Sequence, residues 1–327
     1  MHLSVAEARA LSEGILRRHG FDRAEAAEII DVLIEAHLWG RPTSGLNHLR
    51  HVVKAAADRQ PVSVVREDSR SVLLDGGNNP GFLVAQRAMR MAIAKAKESG
   101  LAAAAARNAY LGGINGYYAI MAARQDLIGM VSISSGRRVA PAGGIDPLFG
   151  TNPLAIAIPT LDEPIVLDMA TASTNVGSIE RARRRDEPIP PGQAVTADGS
   201  PTVHAATALG GAILPFGGHK GAGLAMIVQC LGMLGGGAII PDGIRDFGYF
   251  LMAIDPSLFM PVAEYKARTR ELAEMMRASR PAAAGDPVRV PGERSMKERE
   301  RRLAEGFDLD DGLYEELVGL ARGTGTV

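Results

Sequence analysis

His37, Ser44, His48, Arg50 and His51 crowd one short stretch of the chain. A hydroxyl and an imidazole can together handle a proton at a substrate oxygen, as general acid–base chemistry requires. Ser44 and His48 are four residues apart, so a helix that starts early would place both on one face. No Asp is placed to complete a hydrolytic triad, and the Gly-x-Ser-x-Gly elbow is missing. Proton transfer to a substrate is the chemistry that remains. An ordinary half-buried helix histidine is the plain alternative for His48.

Glycine is the second chemical signal: 38 of 327 residues, well above the usual share of about 7%. With no collagen period and no low-complexity repeat, the surplus belongs in turns or where backbone approaches something closely. It concentrates in Gly112-Gly113-Ile114-Asn115-Gly116, in Gly143-Gly144, and in Gly217-Gly218-His219-Lys220-Gly221-Ala222-Gly223. The last opens an expected helix, where free N–H groups and a lysine suit a pyrophosphate. A tight turn with close helix packing accounts for it equally. Gly136-Arg137-Arg138 follows an expected strand, so two guanidinium groups there could receive a phosphate monoester, or form a solvated surface pair. The Gly-x-Gly-x-x-Gly fingerprint after a strand and the Walker loop are both absent.

Composition excludes several classes. Lys+Arg number 36 and Asp+Glu 37, for a formal charge of -1, which argues against a dedicated nucleic-acid or polybasic membrane binder. The single cysteine, Cys230, forms no intrachain disulfide. Metal-ligand spacing is absent, so no metal is expected. The first residues lack an apolar run after a basic start, and no stretch of about 18 apolar residues occurs. A soluble, reduced, cytoplasmic protein of about two domains is expected, at roughly 150 residues per domain.

The elements that must carry these residues alternate. Capping boxes at Ser4/Glu7 and Asp22/Glu25 start two amphipathic helices ending near Gly20 and Gly40. A third helix is expected over 46–58. Strands follow at 62–65 and 71–74, with Gly76-Gly77 as a turn, then a helix at 82–98 and a strand at 101–106 whose alanines suit a strand poorly. Further strands are expected at 130–134, 154–158, 165–169 and 247–254, with helices at 116–125, 171–185 and 219–234. Beyond Pro256 the chain is charged and helical, through Met275 and again over 293–321, with a Pro/Ala linker at 280–284. This order predicts an α/β protein. A helical domain would form from 1–60 plus 256–327, and an α/β domain from 61–255.

The segments together resemble the malate/L-lactate dehydrogenase-like oxidoreductases, which include sulfolactate, ureidoglycolate and diketogulonate dehydrogenases and the piperideine/pyrroline-2-carboxylate reductases. The most specific match runs from Val139-Ala140-Pro141-Ala142-Gly143-Gly144 through Phe149-Gly150-Thr151-Asn152-Pro153 to Pro159. It continues in Val166-Leu167-Asp168-Met169-Ala170-Thr171, Ile189-Pro190-Pro191-Gly192, Leu214-Pro215-Phe216-Gly217-Gly218-His219-Lys220-Gly221, Ala253-Ile254-Asp255-Pro256 and Val290-Pro291-Gly292-Glu293-Arg294. The resemblance implies a non-Rossmann mixed sheet that binds NAD(P), hydride transfer to a small-molecule substrate, and a homodimer. By motif position it implies cofactor contacts at Gly112, Gly113 and Ile114, at Ser135, Arg137 and Arg138, at Asp168, Met169 and Ala170, at Lys220, and at Gly292, Glu293 and Arg294. Similar NAD-preferring sequences carry an acid where this chain has Gly136. Its loss beside two arginines favours the 2′-phosphate, so NADPH is the expected cofactor and NADH the alternative.

The catalytic loop departs from that pattern. The family reads Arg-Gly-x-x-Ser-His-Gly where this chain reads Trp39-Gly40-Arg41-Pro42-Thr43-Ser44-Gly45, placing Ser44 at the histidine. The arginine four residues on is His48, and a second family histidine aligns with Leu111. Three explanations compete. The proton donor has moved to His48, with Arg41 or Arg50 binding the carboxylate and Tyr110 nearby; or the substrate is a cyclic imine that carries its own proton; or the chain binds a dinucleotide without efficient catalysis.

Overall fold

The computed structural model describes residues 1–282, 285 and 287–324. A short strand, β1 (His2–Leu3), precedes α1 (Val5–Arg18) and α2 (Arg23–Leu38). Both helices start on the anticipated capping boxes. Ser4 accepts the Glu7 N–H while Glu7 takes the Ser4 N–H, and Asp22 and Glu25 repeat the exchange. Each box satisfies amide groups that a helix start leaves without partners.

After α3 (Leu49–Ala55), the chain enters the sheet with β2 (Ser63–Glu67) and β3 (Ser71–Asn79). Next come α4 (Gly81–Ser99), β4 (Leu101–Ala109), α5 (Asn115–Ala123), β5 (Ile128–Ile133), β6 (Leu154–Ile158) and β7 (Ile165–Met169). A smaller region holds α6 (Val176–Arg184), β8 (Ala194–Val195), β9 (Pro201–Thr202), α7 (Ala205–Leu209) and β10 (Ala212–Ile213). The chain finishes with α8 (His219–Met233), β11 (Phe247–Ile254), α9 (Val262–Arg277), α10 (Glu293–Glu305), β12 (Phe307–Asp308) and α11 (Asp311–Arg322).

The main sheet has the order β2-β3-β4-β11-β5-β6-β7. β3 and β4 run parallel, joined by α4 as crossover, while the other neighbours are antiparallel. A dinucleotide fold of Rossmann type is mostly parallel, so the mixed, non-Rossmann expectation holds. β4 is a strand despite its alanines. Ala102, Ala104 and Ala106 alternate inward at 0–1% exposure, and packing there overrides weak strand propensity.

One hydrophobic cluster joins the sheet to the terminal helices, through Leu16, Ile29, Leu33, Phe82, Tyr249 and Leu320. β1 pairs antiparallel with β12, and α11 packs on α1, so the two ends of the chain meet. A second cluster, with Val139, Phe149, Ile179, Ile189 and Ile213, sits within the smaller region.

Four sequence expectations need correction. The helix expected over 46–58 is one 3₁₀ turn, Leu46–His48, followed by the shorter α3, and the loop before it holds a further 3₁₀ turn, Pro42–Ser44. Gly76-Gly77 is not a turn but lies inside β3, where the register with β4 shifts after Asp75. The helix expected from 171 starts at Val176, because Asn175 caps it by accepting the Ser178 N–H. The single helical run expected over 293–321 breaks at Gly306, and β12 separates α10 from α11. Of the expected linker, 280–282 is irregular and residues 283 and 284 lie outside the described residues.

Candidate functional site

The site is built on the loop that ends α2. Leu38 is the last residue of that helix, and Trp39 caps it with its N–H on the Glu35 carbonyl at 2.8 Å. The Arg41 N–H returns to the Ala36 carbonyl at 2.8 Å. Two 3₁₀ turns then carry Ser44 and His48, with Gly45 between them, so the helix face that would unite these residues does not form.

Arg41 reaches across to β7. Its Nη1 donates to Asp168 Oδ2 at 2.9 Å and its Nη2 to the Asp168 carbonyl at 3.0 Å. The Asp168 side chain is 5% exposed, against 36% for Arg41. Burial raises the Asp168 carboxyl above its usual value, while Arg41 and the Gly116 N–H oppose that shift. Gly116, in the first turn of α5, is a necessary glycine. A Cβ there would lie 2.8 Å from Trp39 Cζ3 and 3.1 Å from Asp168 Cβ.

His48 is half-buried and packs near Phe82, with ring centroids 6.4 Å apart, and near His51 at 6.0 Å. Its Nδ1 is buried with no hydrogen-bond partner. Burial, then the neighbouring His51, Arg50 and His37, push its pKa down to about 3, so the imidazole is neutral at pH 7. Ser44 is half-buried, and its hydroxyl has no hydrogen-bond partner among the described residues. Arg50 is exposed on α3. Tyr110 is 2% exposed; its hydroxyl is unpartnered, its carbonyl accepts from the Tyr249 hydroxyl, and Arg245 stands 5.2 Å over its ring.

Some of the segments assigned by the family motifs neighbour the Arg41–Asp168 pair. Gly112, Gly113 and Ile114 lead from β4 into α5 and hence to Gly116 and Asp168. A Cβ on Gly113 would lie 2.7 Å from Phe82, the neighbour of His48. The stretch holding Gly292, Glu293 and Arg294 lies beside β7, where the Val166 N–H donates to the Pro291 carbonyl at 3.1 Å. Glu293 is taken up locally by Arg277 and the Val290 N–H, which lower its pKa. Below Met169 and Ala170, the Thr171 carbonyl accepts the Phe216 N–H at 3.1 Å, linking β7 to the start of α8 and Lys220. Arg137, Arg138 and Lys220 are exposed and make no ion pair with a described carboxylate. Exposed cations of this kind suit the phosphates of a dinucleotide.

Sequence reasoning missed the group that holds Ser135. Asn152 Oδ1 accepts the Ser135 N–H at 3.1 Å, and Asn152 Nδ2 donates to the Ala225 carbonyl and to Gln229 Oε1, both at 2.9 Å. This buried network pins the end of β5 to α8. Its only sequence signal is an asparagine inside the apolar Gly150–Ala155 run. His37 was also missed as a structural group; it accepts the Leu46 N–H. A groove of about 640 Å³ between α2 and α4 contains none of the expected site residues. Two of its arginines pair internally, Arg59 with Glu25 and Arg90 with Glu28.

The matched family model is malate/L-lactate dehydrogenase, over residues 3–318. The L-sulfolactate dehydrogenase of Methanocaldococcus jannaschii is 35% identical, covering 97% of this chain and 95% of that protein. A Delta(1)-pyrroline-2-carboxylate reductase of Burkholderia ambifaria is 32% identical, covering 97% of each. The crystal structure of a dehydrogenase from Sinorhizobium meliloti superposes with a TM-score of 0.92 at 34% identity, over 98% of both chains. The mixed, non-Rossmann fold and the sequence are shared along nearly the whole length: the chain belongs to the malate/L-lactate dehydrogenase family of oxidoreductases.

Proposed function

We propose that the chain is a cytoplasmic NAD(P)H-dependent reductase acting on a small 2-oxo acid or, better suited to this site, a cyclic imine carboxylate. The observation that carries this reading is the Arg41–Asp168 pair. It ties the loop bearing Ser44 and His48 to the end of the strand that carries the cofactor motif, so substrate and nicotinamide would share one cleft.

A bound nicotinamide would supply the hydride. The chain supplies position and charge. Arg41 has N–H donors beyond those given to Asp168, which suit a substrate carboxylate. Arg50 and Tyr110 complete the proposed substrate side, and Ser44 orients the C=O or C=N group. The cofactor would be held by Gly112, Gly113, Ile114 and Ser135, by the backbone of Asp168, Met169 and Ala170, and by Lys220, Gly292, Glu293 and Arg294. Arg137 and Arg138, exposed and unpaired with carboxylates, would take the 2′-phosphate of NADPH, with NADH the alternative.

Proton supply favours the imine. His48, with its pKa near 3, holds almost no proton to give at pH 7. An iminium already carries its proton, whereas a 2-oxo acid must receive one, which the neutral His48 is poorly poised to give. The pyrroline-2-carboxylate reductase among the relatives supports the same choice.

Oxidation of NADPH against a panel of cyclic imine carboxylates and 2-oxo acids tests the reading. Turnover is expected with the imines. His48→Ala should retain imine turnover within about tenfold; a loss of about 10²-fold or more, the usual worth of a general acid, would instead make His48 the proton donor. Dinucleotide binding with no oxidation across the panel would overturn the enzyme reading and leave a binding protein.

A homodimer and the division into a helical unit (1–60 plus 256–327) and an α/β unit (61–255) belong to the same proposal. Met226 and Ile227 on α8 and Leu234 at its C-cap are 57–61% exposed, apolar surface suited to a second copy. Sedimentation should report twice the chain mass; a monomer at micromolar concentration would reject the dimer.

A further inference from the structure

His37 stands in the last turn of α2, outside every segment assigned above to substrate or cofactor. It is 1% exposed, and its Nε2 accepts the Leu46 N–H at 3.1 Å. That bond places the ring proton on Nδ1, which is buried without a partner. The loop lies flat on the ring: a Cβ at Gly45 would fall 2.3 Å from His37 Cδ2 and 2.6 Å from Nε2. Gly45 and Leu46 separate Ser44 from His48, so the imidazole touches the loop midway between the two side chains that would handle the substrate.

The ring is itself held from the far end of the chain. It stacks on Phe307 of β12 at 4.6 Å between centroids, with 18° between planes. The His37 carbonyl accepts Arg302 Nη1 at 2.8 Å. One turn earlier on the same helix, Arg299 grips Glu35 through two 2.8 Å bonds. The charged and titratable groups that face the ring's surroundings are Arg302 with its partner Glu298 on α10, and His48 from the loop. A protonated Nε2 would turn the acceptor into a donor aimed at an amide N–H. The contact therefore requires the neutral ring that this burial enforces.

We propose that His37 is a positioning residue of the active-site loop: as a neutral acceptor clamped between the C-terminal segment and Leu46, it sets where Ser44 and His48 stand. This rests on the reductase reading above for its kinetic test, but has an independent optical one. Trp39 is the chain's single tryptophan and lies two residues beyond His37, against the Gly116 turn, so its emission reports the loop without turnover.

The test compares two variants. His37→Phe keeps an aromatic ring to stack on Phe307 but removes the acceptor. His37→Gln can present an amide oxygen near the place of Nε2 without titrating. At pH 7.5, His37→Phe should shift the Trp39 emission and lower kcat/KM at least tenfold, while NADPH affinity from fluorescence titration changes less than threefold. His37→Gln should restore the wild-type emission and bring kcat/KM within about threefold. The proposal is overturned if His37→Phe keeps wild-type emission and kcat/KM, or if His37→Gln is as impaired as His37→Phe, which would make ring packing the whole role. Should the wild-type chain turn over nothing on the panel, the reductase reading fails, and the emission of the two variants still decides the role of His37.

Discussion

Arg41 and Asp168, 127 residues apart in sequence, share two hydrogen bonds of 2.9 and 3.0 Å between the loop after α2 and the end of β7. The pair joins a residue expected on the substrate side to one expected on the cofactor side. At 5% side-chain exposure, burial raises the Asp168 carboxyl above its usual value, and the Arg41 guanidinium and the Gly116 N–H only partly offset its lost hydration. The pair also limits the chemistry, because a guanidinium donates no proton to a product.

Asp168→Asn should therefore act on substrate more than on cofactor. Without its anionic partner, Arg41 loses its fixed orientation, and KM for a carboxylate substrate is expected to rise about tenfold. That corresponds to about 1.4 kcal/mol, close to the lower end of what one hydrogen bond to a charged group contributes. NADPH affinity should change less than threefold, because the proposed cofactor contact there is backbone. Steady-state kinetics and a fluorescence titration separate the two. A large loss of NADPH affinity with unchanged KM would reverse the assignment.

Cofactor choice should reside in Arg137 and Arg138. Each charge-assisted hydrogen bond to a phosphate contributes about 1.5–3 kcal/mol, so replacing both with Glu should lower the NADPH-to-NADH ratio of kcat/KM by about 10²-fold or more. The wild-type preference should weaken with added salt, since both side chains are exposed. Equal use of the two cofactors by the wild-type chain would count against the assignment.

Acid should destabilise the fold earlier than its carboxylates alone require. His37 and His48 are both held down to about 3 chiefly by burial, and His51 to about 4. Between those values and the unfolded value of about 6.5 the unfolded chain binds the protons, so stability falls as pH drops through this window. His37, at 1% exposure, contributes a slope near the full ~1.4 kcal/mol per pH unit; the half-exposed histidines contribute less. Urea midpoints at pH 7, 5.5 and 4.5 measure the slope. His37→Gln should flatten it, and an unchanged slope in that variant would show that His37 does not contribute.

Local signals in the sequence were enough for much of the fold. Ser4/Glu7 and Asp22/Glu25 start the first two helices where expected, because capping chemistry lies within four residues of chain. β6, β7 and β11 fall on the expected residues, since buried apolar runs between turn residues declare themselves. The loop after α2 did not. Leu46 to Asp58 has helical composition, yet the flat approach of Gly45 to His37 and the Arg41–Asp168 pair hold its start in a 3₁₀ turn. Gly76-Gly77 reads as a turn because glycine punctuates, but its neighbours in β3 pair with β4 across the crossover.

By itself, then, the sequence determined the α/β class, the positions of most helices and strands, and a set of motif segments that belong to the malate/L-lactate dehydrogenase family. Those follow from propensity, capping and residue identity, all read over short spans. Only the tertiary structure decided that Asp168 belongs to Arg41, that Asn152 holds Ser135 to α8, that His48 is neutral, and that His37 sits between the loop and Phe307. Each depends on burial or on contacts between distant segments, and neither burial nor long-range pairing is written in any local stretch of chain.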